Sequence, residues 1–210
     1  MYEKLTDKSM KTFLVELSSS APAPGGGSVA ALSGALGSAL ISMVSNLTIG
    51  KKKYTDVQEE ITELLEKSEK LREELIDLLE ADVKVYTELS QTIKMPRDTD
   101  EQKDTRAKAM DRAFKAATDV PMCVAEACVL VMDLCRPAAE KGNVNAVSDV
   151  GVGVLMAEAG LRSAALNVLI NLGSIKDEAF VRESWTKLDA LLKGKPALRD
   201  EIYELVASKL

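Results

Sequence analysis

The stretch ITELLEKSEKLREELIDLLEADVKVYTEL, residues 61–89, decides the fold. Ile61, Leu64, Ser68, Leu71, Leu75, Leu78, Asp82, Val85 and Leu89 recur at steps of three and four, the heptad seam of a long amphipathic helix. Thr55-Asp-Val-Gln58 just upstream reads as a capping box that starts this helix. One residue breaks the seam. Asp82 stands where an apolar side chain is expected, with Leu75, Leu78, Tyr86 and Leu89 within about 40° of it on a helical wheel. Burying a carboxylate costs several kcal/mol unless something pairs with it. Asp82 is therefore either a core residue bonded to a nearby hydroxyl or lysine, or an acid–base group held in an apolar setting. Tyr86, one turn on, is either a core aromatic or a wall of the same site.

Outward from this helix, strand signals are almost missing, and Ala, Leu, Glu and Lys dominate. The pattern predicts an all-α, single-domain chain over residues 1–210, a multi-helical bundle of about six helices with no long linker. A short helix spans 8–19, a Pro/Gly/Ser loop 20–27, and a second helix 28–49 closed by Gly50. Pro96 ends the long helix. A charged helix runs from Asp98 to about Thr118, and Asp119 with Pro121 marks a new start for 120–140. The charged face of that fourth helix reads as solvated surface. After a polar loop at 142–149 comes a small-residue helix over 149–172, capped by Ser148 or Asp149, and an amphipathic tail over 177–192 and 196–208.

No Asp, Glu, Lys or Arg occurs between Glu16 and Lys51. This stretch opens on Pro24-Gly25-Gly26-Gly27-Ser28, which leaves bare amides at a helix start. Such amides hold an anion or a polar heterocycle, or the glycines form a tight turn feeding a buried helix. Ser33, Ser38, Ser42, Ser45, Asn46 and Thr48 make the helix too polar for a membrane span. Val29, Leu32, Leu36, Leu40, Met43 and Leu47 lie on one side, and Ala30, Ser33, Gly34, Gly37 and Ser38 on the other. A helix without charges must be covered all round, so a second subunit is expected over part of it.

Composition narrows the chemistry. The net charge is −6 with no basic half, which speaks against nucleic acid. The first ten residues carry no apolar signal core, and Cys123, Cys128 and Cys135 have no zinc spacing, so reduced thiols in cytoplasm are expected. There is no histidine, which excludes zinc held by imidazole and any triad with a histidine base. Protons must be moved by Asp, Glu, Lys, Tyr, Cys or water.

The run Ala23-Pro-Gly-Gly-Gly-Ser-Val-Ala-Ala-Leu32, followed by Thr48-Ile-Gly-Lys-Lys-Lys-Tyr54, resembles the cyclodeaminase domain of formimidoyltransferase-cyclodeaminase. That family includes stand-alone formimidoyltetrahydrofolate cyclodeaminases and methenyltetrahydrofolate cyclohydrolases. Ala81-Asp82 with Tyr86, Ile93-Lys-Met-Pro96, Val120-Pro121, Gly142-Asn143 with Ser148-Asp149, and Asn167-Val-Leu-Ile-Asn-Leu172 resemble its further blocks, in order and at matching spacing. Coverage is roughly residues 8–185. Asn145 and Val147 fall in a loop that varies within the family. The resemblance implies an all-helical domain, a homodimer built by helix packing, a tetrahydrofolate substrate, no metal and no bound cofactor. With no transferase domain visible, a formimino group would come from a separate protein or arrive already on folate.

The implied reaction closes 5-formimidoyl-tetrahydrofolate to the 5,10-methenyl form and releases ammonia. Asp82 is the expected catalytic proton carrier. Gly25, Gly26, Gly27 and Ser28 are expected to donate to the folate, and Tyr86 and Asn171 to line the site. Lys51 and Lys52 hold the glutamyl tail or complement a helix dipole. Asn143, Ser148 and Asp149 reach the pterin or merely cap a helix. The cyclohydrolase, which adds water to the methenyl carbon to give 10-formyl-tetrahydrofolate, is the alternative. Ile93-Lys94-Met95-Pro96 and Thr48-Ile49-Gly50 resemble the cyclodeaminase branch more. A non-catalytic helical interaction protein is the third possibility.

Overall fold

A computed structural model describes residues 4–210. It contains α1 (Met10–Leu17), α2 (Gly26–Thr48), α3 (Gln58–Ile93), α4 (Asp100–Lys141), α5 (Val147–Leu172), α6 (Glu178–Leu192) and α7 (Lys195–Ala207), and no strand among the described residues. The all-α class expected from the pattern holds. Helices α2 to α5 form an up-down-up-down bundle in which each packs against the next and α5 returns to α2. Helices α6 and α7 close one side against α4 and α5.

Small residues set the closest approach in the bundle. A Cβ added to Gly37 would sit 2.8 Å from the Gly153 carbonyl oxygen, and one added to Gly160 would sit 2.9 Å from that of Ala30. These pairings, with Gly26 beside Asn167 and Asn143 bonded to Leu47, show that α2 and α5 run antiparallel with backbones nearly touching. On its other side α2 meets α3 through hydroxyls. Ser38 Oγ donates to the Ser68 carbonyl at 2.7 Å, and Ser42 and Ser68 share a hydrogen bond at 2.8 Å. Ser68 thus belongs in the seam because it has partners there.

The structure corrects four expectations. The capping box at Thr55 does not form: Lys52–Val57 is a 3-10 turn, and Gln58 instead accepts from the Gly50 amide at 2.7 Å. The reciprocal box lies at Thr99 and Gln102. Helix α5 begins at Val147 without a side-chain cap, so neither Ser148 nor Asp149 caps it. The α3 seam also drifts. Leu79 and Val83 are buried in place of Leu78 and Val85, because a straight helix repeats at 3.6 rather than 3.5 residues. Asp82 therefore sits at the edge of the core stripe, half-buried.

Fourthly, no break occurs at Asp119–Pro121, and α4 continues through both Pro121 and Pro137. Proline 121 has no N–H for the Ala117 carbonyl, the acceptor one turn back. Asn171 Nδ2 of α5 donates to that carbonyl instead, at 2.6 Å. A tertiary hydrogen bond thus replaces the helical one. Asn171→Ala is expected to cost about 1–3 kcal/mol, the usual penalty for orphaning a buried carbonyl. Urea unfolding measures it, and unchanged stability would show that the helix tolerates the gap alone.

Candidate active site

Helix α2 starts where the glycines run out of loop. Gly25 is its N-cap in extended conformation, and no side chain caps it. The first intrahelical bond runs from the Val29 amide to the Gly25 carbonyl, and the amides of Gly26 and Gly27 carry no hydrogen bond among the described residues. The Asp82 carboxylate of α3 lies directly against this turn. Ser28 Oγ donates to Asp82 Oδ2 at 2.9 Å. A Cβ on Gly27 would fall 2.0 Å from Asp82 Oδ1 and 2.6 Å from its Cγ, so only glycine admits the carboxylate here. The glycine start and the seam-breaking acid, 54 residues apart in sequence, make one site.

Burial pushes the Asp82 carboxyl above the usual carboxylate range, and the Ser28 hydroxyl and backbone amide pull part of the way back. Ser28→Ala removes a donor to the ionised form and is expected to raise this carboxyl further. The acid limb of kcat/KM should then move to higher pH. A limb that stays put or moves down would show that another group sets it.

Asp82 forms one wall of a cleft of about 340 Å³, at the small end of ligand sites. Its other walls include Tyr86 and Leu89 of α3, Phe114 of α4, Asn167, Ile170 and Asn171 of α5, and Ser174 beyond it. Tyr86 is 46 % exposed, so it is a wall of the cleft and not a core aromatic. Asn167 donates to the Ser163 carbonyl at 2.8 Å and stands 3.6 Å from where a Gly26 Cβ would be. In sequence it reads, with Asn171 one turn on, as an amide on a largely apolar helix that bonds either backbone or a ligand, and here it bonds backbone.

The remaining residues expected at the site lie elsewhere in the protomer. Lys51 and Lys52 follow the far end of α2, about 35 Å along the helix from Gly27. Asn143 is there too. It takes Thr48 Oγ1 at its own amide (2.8 Å), donates to the Leu47 carbonyl (2.9 Å) and accepts from the Asn145 amide (3.1 Å). Those bonds anchor a loop. Asp149 is about 27 Å along α5 from Asn167, and Ser148 lines a separate apolar hollow beside Tyr203. Within one protomer, then, Asp82 is joined by Gly25, Gly26, Gly27, Ser28, Tyr86 and Asn171, but not by Lys51, Lys52, Asn143, Ser148 or Asp149.

Other chemistry is scarce around the cleft. Burial pushes the Cys128 thiol up to about 12 and Cys135 higher still, so neither is a thiolate at neutral pH. Among the described residues no group of three or more Cys, Asp or Glu side chains is arranged to hold a metal ion.

A carboxylate raised by burial, set against open amides at a helix start and facing a ligand-sized cleft, is the arrangement expected of a candidate acid–base site. The chain belongs to the formiminotransferase-cyclodeaminase family, whose model matches residues 9–190. It is 49 % identical to a methenyltetrahydrofolate cyclohydrolase of Methylorubrum extorquens, over 97 % of this chain and 98 % of that protein. It is 32 % identical, over 91 % of its length, to the formimidoyltransferase-cyclodeaminase of Mus musculus, of which it spans 35 %. The crystal structure of formiminotetrahydrofolate cyclodeaminase from Thermotoga maritima matches with a TM-score of 0.82 at 30 % identity, covering 98 % of this chain and 97 % of that one.

Proposed function

We propose that this chain is a methenyltetrahydrofolate cyclohydrolase, the alternative in the sequence reading and not its first choice. The observation that carries this is the 49 % identity to such an enzyme over nearly the full length of both chains. The short Ile93–Pro96 and Thr48–Gly50 blocks that favoured the cyclodeaminase are outweighed by that full-length agreement.

The site suits the reaction. Water adds to the methenyl carbon between the two folate nitrogens, and Asp82 takes its proton. The carbon becomes tetrahedral and bears a hydroxyl. That hydroxyl gives up its proton as the carbonyl forms, the carbon–N5 bond breaks, and N5 takes a proton. The products are 10-formyl-tetrahydrofolate and one released proton. An ionised carboxylate also attracts the cationic methenyl group, and the free Gly26 and Gly27 amides lie beside it as donors for an oxygen that gains charge. The runner-up is ring closure with ammonia release, favoured by the likeness to the Thermotoga structure. Asp82 serves there equally, since the same tetrahedral carbon is passed. Offering both substrates separates the two. The cyclohydrolase bleaches the methenyl chromophore without ammonia, whereas chromophore gained from 5-formimidoyl-tetrahydrofolate with stoichiometric ammonia would establish the runner-up.

A homodimer and cytoplasmic residence belong to this proposal. Among the described residues two helices, Gly26–Thr48 and Val144–Leu172, are long and apolar enough to cross a membrane, so the hydroxyls of α2 do not make it too polar as expected; 61 % and 50 % of their apolar windows are buried in the bundle, as befits core helices. Their outer faces remain bare. Leu36, Met43 and Leu47 of α2, and Val152, Leu155, Leu166 and Ile170 of α5, are exposed stripes at helical spacing, and Leu166 and Ile170 reach 68 % and 74 %. A second copy covering them explains both stripes. Sedimentation is expected to show a dimer that Leu36→Glu with Leu155→Glu splits; a wild-type monomer would remove the proposal.

A further inference from the structure

Asn167 and Asn171 stand one turn apart on α5, about 6 Å along its axis, and both line the Asp82 cleft. Backbone holds the amide nitrogen of each. Asn167 Nδ2 donates to the Ser163 carbonyl at 2.8 Å, and Asn171 Nδ2 donates to the Ala117 carbonyl at 2.6 Å. Neither amide can turn over, because that would set oxygen against oxygen. The Ala117 carbonyl is available to Asn171 because Pro121 has no N–H, so a proline in α4 fixes the sense of an amide on α5. Among the described residues neither Oδ1 accepts a hydrogen bond, and neither is sealed off from solvent. Both oxygens are therefore held as acceptors for whatever enters the cleft. An ionised Asp82 only accepts as well, and no lysine or arginine lines the cleft. Its polar walls suit a ring that brings its own N–H groups, and they disfavour an anion.

We propose that Asn167 and Asn171 set the ring specificity of the site by accepting from the amino end of the pterin, its 2-amino group and N3–H, while the one-carbon end faces Asp82. The inference rests on the folate reading above and names the residues that recognise the pterin. A 2-amino group beside a ring N–H spreads its donors outward, as two acceptors one turn apart require. Asn143, Ser148 and Asp149, the residues expected to reach the pterin, lie at the other end of the bundle and leave this task open within the protomer. A ligand without the amino donors leaves confined acceptors unpaired, which is where polar recognition discriminates most strongly.

The test measures equilibrium binding of tetrahydrofolate and of its 2-desamino-2-methyl analogue, in which a methyl group replaces the amino donors. Neither compound has to react. The wild type is expected to bind tetrahydrofolate about tenfold or more tighter than the analogue. Asn167→Leu and Asn171→Leu, which keep the size of the side chain and remove the acceptor, should each shrink that ratio about threefold or more, by weakening tetrahydrofolate and sparing the analogue. Asn167→Asp, which keeps an oxygen acceptor, should preserve it. The ratio is the readout because partly unfolded protein weakens both ligands alike. A wild type indifferent to the amino group, or a ratio that survives either leucine variant, overturns the inference and leaves the folate reading standing. If the wild type binds neither compound saturably, the folate reading falls and takes this inference with it.

Discussion

Gly27→Ala is expected to lower kcat by about a hundredfold or more while far-ultraviolet circular dichroism stays that of the wild type. The reason is spatial. The methyl group would occupy the place of the Asp82 carboxylate, 2.0 Å from Oδ1, and Asp82 must swing away from Ser28 and the cleft. A displacement near 1 Å of a catalytic group costs roughly that factor. The helix itself does not suffer, because alanine is a better helix former than glycine. The neighbours supply the control. A Cβ at Gly26 meets only Asn167 at 3.6 Å, ordinary contact, and one at Gly25 meets nothing within 4 Å. Gly26→Ala and Gly25→Ala should therefore keep most activity. Equal damage from all three would mean that the loop matters for its conformation and not for the room it leaves Asp82.

Asp82→Asn carries the other large effect. Turnover should fall by about 10²–10⁴-fold, the contribution of a positioned general base. Stability should move the opposite way. Burial raises this carboxyl, so the folded chain holds its proton more tightly than the unfolded chain does. Its stabilising contribution is therefore present below the ordinary carboxylate range and is lost as pH rises through the raised value. At neutral pH the ionised group works against folding, and asparagine removes that charge while still accepting from Ser28. The variant should melt about 2–4 °C higher at neutral pH, the shift that about 1 kcal/mol gives a domain of this size, and the gain should vanish in acid. A variant that is fully active, or that unfolds more easily at neutral pH, would make Asp82 a structural residue.

The meeting of Asp82 with the glycine start was legible in the sequence because both violate local rules. An acid on an apolar seam and three glycines before an uncharged helix are each anomalies that a folded chain must accommodate, and they proved to accommodate one another. What the pattern left open is which glycine matters, since only the position of the Asp82 carboxylate singles out Gly27. The bundle class followed from periodicity. The continuity of α4 did not, because the donor that replaces the missing Pro121 N–H comes from Asn171, 50 residues later in the chain. The assignment of Lys51, Asn143 and Asp149 to the same site fails within a protomer for a related reason. Motif order does not report distance, and antiparallel helices of 23 and 26 residues place those motifs at the opposite end of the bundle. A basic hollow lined by Arg106, Lys108, Arg112 and Lys176 was hidden in what reads as a solvated charged face. Only the return of Lys176 beside Arg112 makes it a concave site.

A crystal structure of the protein with a stable reduced folate bearing a one-carbon group on N5 tests the account most directly. It should show that group within hydrogen-bond reach of Asp82, with polar folate atoms on the Gly26 and Gly27 amides. Folate seated at the Lys51 end of the bundle, with the Asp82 cleft empty, would contradict it.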